Sequence, residues 1–123
     1  MSKLIDLCPD FPEWPERWMG KKKDLDYGKH LLEAMRPFAE SLAESSLGEK
    51  TIRKHLTNLW LLGGEIIRDV SLYNEYSIPA VEILKQSIGL DGGPSCRHLN
   101  SEAEIESFNA TCKKLYKFLE RHS

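Results

Sequence analysis

The chain is short of cysteine, of long apolar runs and of surplus charge, and each shortage removes a class of function. Its three cysteines, Cys8, Cys96 and Cys112, are odd in number and widely scattered. That fits free thiols in a reducing compartment and not a disulfide framework. They never form the paired C-x-x-C ligands of a structural zinc site, and only His98 stands near one of them. No metal and no cofactor are therefore expected. No uninterrupted apolar run approaches the roughly 20 residues that cross a bilayer. Asp6 also sits where a signal peptide would carry its apolar centre. The expectation is a cytoplasmic protein with no membrane partner. The net charge of -2 lacks the excess of Lys and Arg of a strongly basic nucleic-acid binder, although it leaves room for a local basic face.

What is present is helical periodicity. At 123 residues, 41% of them hydrophobic, there is room for one contiguous core. The central stretch runs from Glu49 to Val70, where Ile52, Leu56, Leu59, Gly63, Ile66 and Val70 recur at spacings of three and four. Trp60, Leu61, Leu62 and Ile67 widen that stripe, so this helix is expected at the centre with neighbours on several sides. Gly63 and Gly64 inside it each cost about 1 kcal/mol relative to Ala. A close crossing, a kink or a ligand against the backbone would compensate.

Before it, Tyr27, Leu31, Leu32, Met35, Phe38, Ala39 and Leu42 mark a long helix from about Asp24 or Asp26 to Ser45-Ser46, with a kink or break at Pro37. After it, Ser77-Ile78-Pro79 restarts a short helix with Val81, Leu84 and Ile88 on its apolar face. A glycine-rich loop from Gly89 to Ser95 follows. Ser101 and Glu104 form a capping-box signature for the last helix, whose seam is Ile105, Phe108, Cys112, Leu115 and Leu119. Lys113, Lys114, Lys117 and Arg121 put basic charge toward its carboxyl end. No stretch alternates as a strand does. The fold class is all-α, a compact bundle of four to five helices over residues 25–123.

Residues 1–24 read as an extended Pro/Trp-rich arm. Pro9, Pro12 and Pro15 interrupt it, and Phe11, Trp14 and Trp18 give it apolar area without periodicity. Such an arm either packs on its own body or serves as a partner-binding segment, with Phe11, Trp14 and Trp18 as the contacts and a second copy of the chain as one partner.

Catalytic signals are poor. Cys96 and His98 are two residues apart on a loop, with no third orienting group. Gly92-Gly93-Pro94 has neither the following Lys-Ser/Thr nor the preceding strand of a phosphate loop. No enzyme and no small-molecule substrate are expected. The first turns of the central helix offer more, because Lys50, Thr51, Arg53, Lys54 and Asn58 could lie against a phosphate backbone or reach base edges. A solvated polar face is the plainer explanation of the same residues.

The run from Phe38 to Leu59 resembles the core-binding, SAM-like N-terminal domain of tyrosine recombinases and phage integrases. Phe38 and Leu42 match its F-x-x-x-L helix end, and Leu47-Gly48-Glu49-Lys50-Thr51 matches its L-S-x-x-T turn, with Gly48 where Ser is usual. The Arg, His and Tyr set of the recombinase catalytic domain is absent. The resemblance implies a four-to-five-helix fold with a DNA-contacting helix and no strand cleavage, and Lys50, Thr51, Arg53, Lys54 and Asn58 as the residues facing DNA. The function expected is a small non-enzymatic helical binding module, a DNA-associated accessory protein. The alternative is a protein–protein interaction or self-association module, a homodimer built on the arm.

Overall fold

Each long apolar stripe becomes a long helix. A computed structural model describes residues 3–122, and among them the chain forms α1 (Lys3–Leu7), α2 (Trp14–Trp18), α3 (Lys22–Ala43), α4 (Glu49–Tyr73), α5 (Ala80–Ser87) and α6 (Glu102–Arg121). No strand occurs among the described residues, only an isolated bridge between Gly89 and Gly92. The all-α expectation holds. No helix of the described residues is long and apolar enough to cross a membrane.

α3 and α4 pack as a helical hairpin, α5 lies on α3 and α6 on α4. The expected α3 and α4 stripes are buried, except that Trp60 and Leu61, which widen the α4 stripe, are half-buried. Their boundaries differ from the sequence reading for local reasons. α3 starts at Lys22, and Asp24 lies within its first turn and accepts hydrogen bonds from the Gly20 and Lys21 amides, both at 2.9 Å. No break occurs at Pro37: the helix continues through it, with Pro37 on the exposed face, where water can serve the carbonyl its missing N–H leaves free. α4 runs past Val70 because Asn74 adopts the left-handed conformation (φ 54°) that closes a helix, and the Glu75 amide returns to the Val70 carbonyl at 2.9 Å.

The arm is the main correction. It is not extended: it folds into α1, a single 3-10 turn at Phe11–Glu13 and α2. Pro12 and Pro15 each occupy the first or second position of their helical segment, where a missing N–H costs nothing. These prolines start turns instead of breaking them. Leu4, Phe11 and Trp14 join the same hydrophobic core as the body helices.

Glycine seats the arm. Gly28 of α3 faces Pro15, which a β-carbon there would meet at 3.1 Å. The Trp18 ring lies where a Gly63 β-carbon would stand, and its Nε1–H donates to the Trp60 carbonyl at 3.0 Å. Of the alternatives for the two glycines, close approach is the one found, by a tryptophan of α2. In the loop before α6, Gly93 packs on Cys112 and Phe108, and its amide donates to Asn109 Oδ1 at 3.0 Å. Two expected apolar contacts are absent: Ile105 and Val81 are exposed. Thr111 is buried on α6.

Candidate functional site

Gly48 caps α4 in extended geometry, and burial of Ile52, Leu56 and Leu59 fixes the helix rotation. Lys50, Thr51, Arg53 and Lys54 are thereby turned outward and exposed. Arg53 Nη2 pairs with Glu49 one turn earlier at 3.0 Å, in solvent. Asn58 does not join them. It is 1% exposed, and its amide nitrogen donates to the Ser107 carbonyl and hydroxyl, both at 3.1 Å, and to Thr111 Oγ1 at 2.9 Å. With its donors used between α4 and α6, it has none to offer a surface ligand. Asn58 is therefore a structural residue, not a DNA-facing one.

α6 supplies what the sequence reading left out. Phe108, Thr111, Cys112 and Leu115 face the core, so Lys113, Lys114, Lys117 and Arg121 are exposed. They line a groove of about 930 Å³ between α6 and the carboxyl end of α3. A second hollow of about 540 Å³ lies between α4 and α6 beside Lys50, Arg53 and Lys54. His55 and Ala110 line both, which makes one continuous surface, and no carboxylate lines either. Seven of the seventeen Lys and Arg residues thus share one face of a chain whose net charge is -2.

His55 stands at the junction. Its Nδ1 lies 2.7 Å from Thr111 Oγ1, which ties it to the Asn58 network. Burial first, and then the Lys114 charge, hold the imidazole below its ordinary pKa, so the neutral form is favoured. The groove floor is aromatic: the Phe118 ring centroid lies 5.5 Å from Phe38 and 4.2 Å from His122, the latter at 32°.

The arm residues expected to touch a partner are spent within the chain. Phe11 and Trp14 are buried, their rings 4.6 Å apart, and Trp18 is half-buried against Gly63. The Trp14 indole donates to Asp10 at 3.3 Å. The Cys96 thiol is pushed up, first by burial, with a hydrogen bond to Glu65 adding to it. A protonated thiol is the opposite of an activated nucleophile. Among the described residues no group of three or more His, Cys, Asp or Glu side chains could hold a metal ion. No protein-family model, curated protein or solved structure matches the chain.

Proposed function

We propose that this protein is a small non-enzymatic DNA-binding module whose α4–α6 face lies along the phosphate backbone. The observation that carries the reading is the continuity of the two hollows through His55 and Ala110, with seven basic side chains at their rims and no carboxylate in their walls. Clustered Lys and Arg neutralise phosphates and release condensed counterions, and a net charge near zero does not prevent this. Lys50, Thr51, Arg53 and Lys54 of the recombinase-like stretch remain available for the role, and Lys113, Lys114, Lys117 and Arg121 extend it. The resemblance to core-binding domains supports the same reading.

The test is fluorescence anisotropy of labelled DNA across a salt series. Binding should weaken steeply with salt. Replacing Lys113, Lys114 and Lys117 together by Ala should reduce the slope of log affinity against log salt by about 2–3. Absence of binding at low salt would remove the proposal.

A further inference from the structure

We propose that the groove between α3 and α6 takes single-stranded DNA, with phosphates on the α6 cations and a base stacked on the Phe118–His122 pair. The inference rests on the DNA reading above and adds the form of DNA that the site takes. Three observations carry it.

The first is shape. A recess of about 930 Å³ admits a base swung out from its strand, whereas a duplex keeps its bases stacked inside and presents a stiff ridge of phosphates. The second is the floor. His122 is exposed and stacks on the partly exposed Phe118, with lysines on the neighbouring turns of α6. Aromatic faces flanked by cations are how single strands are held, since every base has a face to stack.

The third is hydrogen-bond polarity. Ser41 and Ser45 line the groove, yet each donates its hydroxyl proton to a helix carbonyl, Phe38 and Leu42 respectively, both at 2.7 Å. What those oxygens have left are lone pairs, although Ser45 also accepts from the Leu47 amide at 3.4 Å. Lone pairs repel a phosphate but accept from the amino and imino groups of a base edge. The α6 side of the groove thus offers charged donors and the α3 side offers acceptors, the two sets that a phosphate and a base edge need.

The experiment compares a fluorescein-labelled single strand of about twelve nucleotides with a hairpin duplex of the same sequence at matched salt. The single strand should bind about ten-fold more tightly. His122→Ala should weaken single-strand binding about five-fold or more through lost stacking, with duplex affinity and melting temperature unchanged. Phe118→Leu provides a second variant, accepted only if its melting temperature stays near that of the parent. Equal or tighter duplex binding overturns the inference, as does a single-strand preference that survives both substitutions. If the duplex binds with steep salt dependence and no single-strand preference appears, only this inference falls. If neither binds, the DNA reading falls with it.

Discussion

From Leu59 to Val70, Arg68 is the one exposed residue of α4, and the glycines there admit the Trp18 ring to the backbone. From Glu49 to Asn58 the same helix covers one stripe and leaves Lys50, Thr51, Arg53 and Lys54 in solvent. One half removes side-chain atoms so that a neighbour can approach. The other half keeps long cationic side chains and holds its helix partner through a polar seam, Asn58 and His55 on Thr111. The difference shows that a helix can be central to a fold along part of its length and a surface element along the rest. Substitutions should therefore cost stability by what each position touches, not by residue type.

The sharpest test is a pair of adjacent changes. Gly63→Ala would place a β-carbon within the Trp18 ring, so α2 must shift. A loss of about 3 kcal/mol in urea denaturation is expected, at the upper end for overpacking. Gly64→Ala meets the same indole at 3.6 Å, an ordinary contact, and should be neutral or stabilise by up to about 1 kcal/mol. Equal losses at both positions would mean that Trp18 is not seated on Gly63.

Asn58→Ala should come next, at about 2 kcal/mol, because it removes the donor that ties α4 to Ser107 and Thr111 and leaves a gap between the two helices. A cost within 0.5 kcal/mol, roughly that of a surface substitution, would return Asn58 to the exposed face.

Acid should separate the halves by smaller amounts. His55 has a folded pKa below its ordinary 6.5, so the unfolded chain takes up the proton first. Its contribution is fully present above 6.5 and is lost as the pH falls below that value. Asp24, beside the far end of α4, behaves separately. Burial works to raise its carboxyl, but hydrogen bonds from Tyr76 (2.7 Å), Lys21 and Gly20 outweigh that and hold it below 3.8. Its stabilisation is present above 3.8 and disappears as the pH falls further. His55→Asn should flatten the first decline in urea midpoint and Tyr76→Phe should shrink the second. Identical pH profiles for parent and both variants would contradict these assignments.

The buried stripes of α3 and α4 were legible because apolar residues at spacings of three and four leave little choice of rotation. The cost of Gly63 was legible too, though the identity of its occupant was not: Trp18 lies 45 residues away in sequence, beyond any local pattern. Asn58 misled through residue type. An amide among Arg53, Lys54 and Thr57 reads as surface, and only the fold brings Ser107 and Thr111 to it. The arm misled through proline, whose helix-breaking role applies to interiors and not to first turns. The α6 lysines were visible as favourable charge at a helix end, but their groove is completed by Ser41 of α3 and Ser45 of the turn after it, which no spacing on α6 could reveal.

The Trp18 seat also sets an order of events during folding. Gly28 and Gly63 form its walls, so the seat does not exist until α3 and α4 have come together. The Trp18 ring can therefore take its seat only once those two helices have packed. Until Gly63 has been made, the Trp18 indole lacks one wall of its seat, and it has to wait for the 44 residues that separate the two positions.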